Sequence, residues 1–379
     1  MPENLTDRKC CHKCNKTGNK KLSKCARCHS ITYCGQECQR ADWPRHREFC
    51  IPVMVAEIPN RGIGLVASKN FKMGELIFEE KAIISVSAPE GRHVATLGMA
   101  FALKDQIKTL SEEQASKFYK LTPKEGYFNP TRMEIGRRAD CIQELMIMYS
   151  YASYNIHNDR LTLLLNSAFV NHSCKPNTIM FGTHEPESKV EIRAIEDISK
   201  GEEITHSIIT NTNFVSQFDM RQRLLGTYHL NCNCPVCSGK ISNQDDIRSE
   251  IGSIINSLPQ LIYKQSQIPH IYMDWRVNVS RLERAINLLK QLYIGDAFTR
   301  CQTLVDIAAG AQLAREPVLL MKALTTHKEQ VSAWGLDGRF DDFEDLMKEV
   351  ERWSEEIKSG RRPTKEEVDC FCKFSSDDD

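Results

Sequence analysis

After a polar, cysteine-rich first fifty residues, the chain alternates short apolar runs with turn residues and then changes to helical periodicity. Leu65-Val66-Ala67 and Glu75-Leu76-Ile77-Phe78-Glu79 read as short strands, divided by a turn around Lys72-Met73-Gly74. Just before them, Arg61-Gly62-Ile63-Gly64-Leu65 places two glycines in a turn where the backbone must come close to another group. From Arg92 to about Ser153 the spacing is helical, with Leu97, Ala100, Phe101, Leu103 and Ile107, then Ile135, Ile142, Leu145, Met146 and Tyr149. Pro123 and Pro130 divide that stretch. The apolar run Leu161 to Val170 reads as a strand entering a tight polar turn, Asn171-His172-Ser173-Cys174-Lys175-Pro176-Asn177. A charged strand follows from Lys189 to Ala194, then the segment Ile198 to Thr205. Residues 241–379 form amphipathic helical segments at Ile247 to Ile262, Val279 to Tyr293, Ala297 to Leu313, Val318 to Trp334 and Phe340 to Ile357. Breaks fall at Pro269, Gly295, Pro317 and Gly335 to Gly338, and the acidic tail ending Ser375 to Asp379 reads as disordered. The fold class is therefore α+β, in three parts over 1–50, 51–240 and 241–379.

The 379 residues suffice for two or three cores. Lys plus Arg equals Asp plus Glu, 50 against 50, so the overall charge does not point to nucleic acid or to a membrane surface. No apolar run reaches the roughly 18 residues of a membrane span, and the start is polar. A soluble monomer in the cytoplasm, the nucleus or both is expected, with no membrane association.

In such a chain the 16 cysteines have the spacings of metal ligands rather than of disulfides. The first fifty residues contain Cys11-x2-Cys14, Cys25-x2-Cys28, Cys34-x3-Cys38 and His46-x3-Cys50, eight ligands for two tetrahedral zinc ions. Forty residues with so little apolar surface are expected to fold only as they bind metal. Cys10 offers an alternative to Cys11 at a spacing of three. The segment carries 11 basic against 5 acidic residues, +6, which seven thiolates and two Zn²⁺ reduce to +3. That is a solvated basic face rather than a sequence-specific DNA reader. Eleven cysteines fall into the clusters described here, leaving Cys10, Cys141, Cys301, Cys370 and Cys372 as ordinary thiols.

Asn171 to Asn177 resembles the NHSCxPN signature of SET domains, and Arg61-Gly62-Ile63-Gly64 with the later Gly201-Glu202-Glu203-Ile204-Thr205 resembles that domain's opening and its second signature. The cysteine pairs, with Tyr33 and Trp43, resemble a MYND finger. Together they resemble the SET and MYND domain-containing (SMYD-like) protein-lysine methyltransferase family. The resemblance implies a zinc-bound MYND finger, a β-rich SET domain with a helical insert over about 92–153 and a zinc-bound post-SET segment, and a tetratricopeptide-like helical C-terminal domain.

The family's metal sets map onto Cys11, Cys14, Cys34 and Cys38 for one zinc ion and Cys25, Cys28, His46 and Cys50 for the second. Cys174, Cys232, Cys234 and Cys237 would hold a third. S-adenosylmethionine would be bound by Arg61, Gly62, Gly64, Asn171 and His172. Tyr228 would be catalytic and line the lysine channel, with Tyr154 as a wall aromatic. The substrate would be a protein carrying a target lysine, histone or otherwise, with chromatin association among the expected settings, and the finger would bind proline-containing peptides.

Four departures set this chain apart. Ile208 stands where the family carries a catalytic tyrosine, Ala152 where it carries a cofactor-contacting asparagine, and Leu230 where an aromatic stacks on adenine. The finger also precedes the SET segment instead of interrupting it. An impaired enzyme that serves as a protein-binding scaffold is the alternative these departures imply.

Overall fold

The computed structural model describes residues 10–17, 22–47, 50–87, 97–121, 142–155, 160–183, 189–208, 218–227, 230–241, 244–255, 276–291 and 317–337, with isolated positions at 303–304, 307–308, 311, 348, 352 and 355. The chain divides into two compact units, Met1–His172 with Asn177–His206, and Ser173–Pro176 with Ser207–Asp379. It is a mixed α+β protein, with the strands in the first unit and helices dominating the second.

The first unit opens with the hairpin β1 (Ser23–Lys24) and β2 (Thr32–Tyr33), followed by helix α1 (Gln36–His46). A four-stranded sheet then carries residues expected to contact a cofactor, in the spatial order β3 (Val53–Ile58), β4 (Gly62–Ala67), β12 (Glu203–His206) and β9 (Asn171–His172). β12 runs antiparallel to β4 and parallel to β9, with Thr205 opposite Asn171 and His206 opposite His172. A second sheet joins β10 (Thr178–Thr183), β11 (Lys189–Ala194) and β5 (Leu76–Lys81); a third joins β6 (Ile84–Ser87), β8 (Arg160–Leu163) and β7 (Ser153–Asn155).

Two strand expectations are corrected here. Gly64 lies inside β4, paired with Ala56, and not in the turn. The β3–β4 turn is made instead by Asn60, at φ 61°, and closes through the Arg61 amide on the Ile58 carbonyl at 3.0 Å. Asparagine enters the left-handed region at little cost, so the hairpin needs only Gly62, at φ 75°, beside it. The apolar run from Leu161 is likewise not one strand. β8 ends at Leu163 because Glu80 draws the chain into a 3-10 turn, Ser167–Phe169, by accepting from the Asn166 amide at 2.6 Å and the Ser167 amide at 2.9 Å. The Asn166 and Ser167 side chains complete four bonds to that carboxylate. Burial raises the Glu80 carboxyl, and these donors oppose the rise.

The helical insert contributes α2 (Leu97–Lys108), α3 (Glu112–Phe118) and α4 (Ile142–Tyr151). Ser111 and Gln114 start α3 as a reciprocal cap, each side chain bonded to the other's backbone amide. Met99, Ala100 and Leu103 form the buried face of α2. Phe101 is 65% exposed, contrary to its reading as a core position, because it lies about 100° round the helix from Ala100.

In the second unit α5 (Phe218–Thr227), α6 (Gln244–Ile255) and the helices Arg276–Gln291 and Pro317–Ala333 share an apolar cluster that includes Leu225, Ile251, Leu282, Ile286 and Leu320. The segments expected at Ala297 to Leu313 and Phe340 to Ile357 lie outside the described residues apart from isolated positions, as do Tyr228 and the acidic tail. No helix among the described residues is long and apolar enough to cross a membrane.

Candidate cofactor site and metal centres

Three groups of four ligand atoms converge, each within 4.8 Å: Cys11, Cys14, Cys34 and Cys38; Cys25, Cys28, His46 and Cys50; Cys174, Cys232, Cys234 and Cys237. Cys11, not Cys10, stands in the first set; Cys10 bridges to Thr17 instead. Zinc–sulfur bonds of about 2.3 Å in a tetrahedron set sulfurs about 3.8 Å apart, and an imidazole nitrogen at about 2.05 Å lies about 3.6 Å from a sulfur. The Cys14–Cys34 and Cys25–Cys50 sulfurs are each 3.7 Å apart, and Cys174–Cys232 are 3.9 Å apart. Cys28 Sγ lies 3.5 Å from His46 Nε2. These separations fit zinc and are far beyond the roughly 2.05 Å of a disulfide. Burial lowers the His46 imidazole, favouring the neutral form that binds metal. Metal analysis of protein purified without chelator is expected to return three zinc ions per chain; a value near one contradicts the paired finger sites.

A polar knot joins the two halves of the finger. Asp42, almost fully buried, takes the Tyr33 hydroxyl and His12 Nδ1 at 2.8 Å each and pairs with Arg45 at 3.1 Å. Burial acts to raise the Asp42 carboxyl, but the bonds from His12 and Tyr33 and the nearby charges outweigh it and leave it lowered. The finger sits on the strand core of the same unit. The Ser68 hydroxyl, at the end of β4, donates to the Cys28 carbonyl, the Ser68 amide reaches the Pro52 carbonyl at 3.1 Å, and Ile51 packs on the core.

The expected cofactor residues of the first unit are brought together on the β4–β12–β9 sheet. Asn171 Nδ2 donates to Glu203 Oε1 at 2.9 Å and to the Ile63 carbonyl at 3.3 Å. Both partners are acceptors, which fixes the orientation of the amide. Among the described residues its carbonyl oxygen accepts nothing, so it can receive an ammonium or hydroxyl from a ligand. Arg61 donates to Glu203 Oε2 at 2.7 Å and to the His172 carbonyl, clamping β9 to the β3–β4 turn. His172 itself is buried. A Cβ on Gly64 would lie 2.7 Å from both Asn171 Nδ2 and Ile58 Cγ1, so only glycine admits the asparagine amide at that place.

Glu203 is the hub of this arrangement and was not among the residues expected from sequence. Its partner Arg61 lies 142 positions away, so only the fold reveals the link. Asn177 is a second such tie. Its side chain donates to the Glu203 carbonyl and accepts from the Thr205 amide, both at 2.8 Å, as a neighbouring strand would. Both ends of the Asn171–Asn177 turn are thereby fixed to β12. Replacing Glu203 with alanine removes two charge-assisted or amide bonds and strands the Arg61 charge, a loss of about 2–3 kcal/mol. The urea midpoint should fall accordingly; an unchanged midpoint contradicts the hub.

The remaining candidates are placed as follows. Ala152 is buried in the first unit after α4. Tyr154 lies in β7, and its side chain is outside the description, as is all of Tyr228. Ile208 and Leu230 are half-buried against the apolar cluster of the second unit.

Comparison with known proteins gives a SET domain over residues 62–208 and a MYND finger over residues 11–50. The zebrafish (Danio rerio) N-lysine methyltransferase SMYD2-A is 27% identical over 255 residues, 65% of this chain and 54% of that protein. The human SMYD2 is 26% identical over 238 residues, 61% and 50% of the respective chains. The Arabidopsis thaliana histone-lysine N-methyltransferase ASHR1 is 24% identical over 251 residues, 63% and 48%. The chain thus spans about half the length of the curated relatives it matches.

Proposed function

We propose that this chain, which carries a MYND finger and a SET domain and is a distant homologue of the SMYD1 and SMYD2 lysine methyltransferases, binds S-adenosylmethionine and methylates lysine in a protein substrate. The observation that carries this reading is the Gly64–Asn171–Glu203–Arg61 arrangement. It holds a half-buried amide in one orientation against bare backbone, with a carboxylate and a guanidinium committed to that orientation, which a fold kept only for stability does not need.

When bound, S-adenosylmethionine supplies an electrophilic sulfonium methyl. The chain's residues have the remaining tasks. Gly64 keeps the β4 backbone open to the Asn171 amide, and Glu203 accepts from the Asn171 amide and the Arg61 guanidinium, which leaves the Asn171 carbonyl oxygen as the acceptor offered to a ligand. Gly62, at the start of the inner strand β4, and His172, in the edge strand β9, lie toward the same end of the β4–β12–β9 sheet. Tyr228 is assigned to the lysine channel, with Tyr154 as its wall, where aligning a neutral amine in line with the methyl carries most of the rate. Ile208 offers no hydroxyl there, so basal transfer is slow. The finger, held on the core by Ser68, binds a proline-containing segment of the partner and raises the local concentration of its lysine.

The second reading, a scaffold with an impaired SET domain, is favoured by Ile208, Ala152 and Leu230. The two part in one assay. Zinc-loaded protein is incubated with isotopically labelled S-adenosylmethionine and an array of lysine peptides. Label retained on lysine and lost in the Lys→Arg peptides is the expected result; no label on any peptide, with the cofactor bound, favours the scaffold.

A further inference from the structure

Two arginines lie inside the second unit. Arg221, on α5, is 1% exposed and bonds Asp245 Oδ1 at 2.5 Å at the start of α6; Asp245 itself is 39% exposed. Arg248, one turn further along α6, is 2% exposed, and its Nε and Nη1 have no hydrogen-bond partner among the described residues. A guanidinium does not give up its proton, so burying two of them requires compensating negative charge close by. Asp245 supplies one, and from a half-wet position.

The third tetrad supplies the rest. Cys174 and Cys234 belong to the same apolar cluster as Leu225 of α5 and Ile251 of α6, and Gln222, next to Arg221, donates to the Cys232 carbonyl at 3.3 Å. Four thiolates around one Zn²⁺ have a formal charge of −2. Burial and the Arg221 charge pull Arg248 down to about 10, whereas Cys174, Asp245 and Cys237 act the other way; the Cys174 and Cys237 charges reach Arg221 as well. Both arginines remain cations at neutral pH.

We infer that Arg221 and Arg248 form a buried cationic shell for the Cys174–Cys232–Cys234–Cys237 zinc centre, offsetting its double negative charge and withdrawing nucleophilicity from its sulfurs. The shell makes this tetrad a slow-exchanging, alkylation-resistant anchor for the helical unit. Thiolates of a zinc site react in proportion to the electron density left on sulfur, and nearby cations reduce it. The unpartnered Arg248 donors are otherwise an unexplained cost of burial.

The test uses the full zinc-loaded chain. Wild type and the variants Arg248→Met, Arg248→Gln and Arg248→Lys are exposed to a chromophoric chelator at fixed pH. Alkylation of each cysteine is then followed by peptide mass spectrometry, with the finger cysteines as internal reference. Loss of an outer-shell partner typically weakens metal binding about 10–100-fold. Arg248→Met and Arg248→Gln should therefore release the third zinc, and expose Cys174 and Cys237 to alkylation, at least about tenfold faster, with the finger unchanged. Arg248→Lys should stay within about threefold of wild type. If Arg248→Met does not fold, the Gln and Lys variants, both unbranched and polar but different in charge, decide alone. Equal release from those two overturns the shell while leaving zinc in place; a wild-type count of two zinc ions per chain removes the centre and the shell together.

Discussion

Gly64→Ala is expected to weaken S-adenosylmethionine binding by at least about a hundredfold, roughly 3 kcal/mol. The added methyl meets Asn171 Nδ2 and Ile58 Cγ1 at 2.7 Å, closer than real contacts allow, and Glu203 Oε1 at 3.2 Å. Ile58 and Gly64 are on neighbouring, hydrogen-bonded strands, so the backbone has little room to give. Asn171 must rotate instead, losing Glu203 and the Ile63 carbonyl and turning its free acceptor away from the ligand. Stability should fall by about 1–3 kcal/mol, as for other overpacked sites. Gly201→Ala separates the two effects. Gly201 sits at φ 85° with nothing within 4 Å of a new Cβ, so alanine there strains the backbone without touching Asn171. It should lower stability yet keep cofactor affinity. Equal affinity in Gly64→Ala and wild type, read by calorimetry, would remove Asn171 from the binding site.

The second large effect is a gain. Ile208→Tyr should raise methyl transfer to a lysine peptide roughly a hundredfold to a thousandfold, the range associated with a single oriented hydrogen-bonding group in other active sites. Ile208 follows β12 by two residues and closes the matched SET segment; under the proposed function it holds the place of the family's catalytic tyrosine, and the substitution puts a hydroxyl there. Ile208 is half-buried against apolar neighbours, and the larger ring must be accommodated, so the variant is first checked for three zinc ions and a wild-type urea midpoint. The gain should appear in turnover, with cofactor affinity little changed. A folded variant that binds the cofactor and transfers no faster would show that the missing tyrosine hydroxyl does not limit this chain.

What the sequence disclosed was local. Cysteine pairs two to four residues apart, and the seven-residue run from Asn171, bring their own ligand spacing and can be read without knowing the fold. Mapped onto the MYND and SET resemblances, they distribute into the same three sets that converge in space. What stayed hidden was long-range and polar. Glu203 and Glu80 look like surface carboxylates in a charged chain, yet each closes a bond network across 86 to 142 residues. Asn177 imitates a strand with its side chain, which no periodicity records. Gly64 was legible as a close approach but not as a strand position, because Asn60 had taken the turn's left-handed place. No motif marks Arg221 or Arg248 in the sequence; only the fold shows that both are buried.

The direct measurement is calorimetric titration of the zinc-loaded, full-length protein with S-adenosylmethionine. It needs no substrate, and it asks whether the Gly64–Asn171–Glu203–Arg61 arrangement is a binding site. One-site binding in the micromolar range is the predicted result. A folded protein with three zinc ions that takes up no cofactor would contradict the proposal, and the arrangement would then serve only to hold the sheet together.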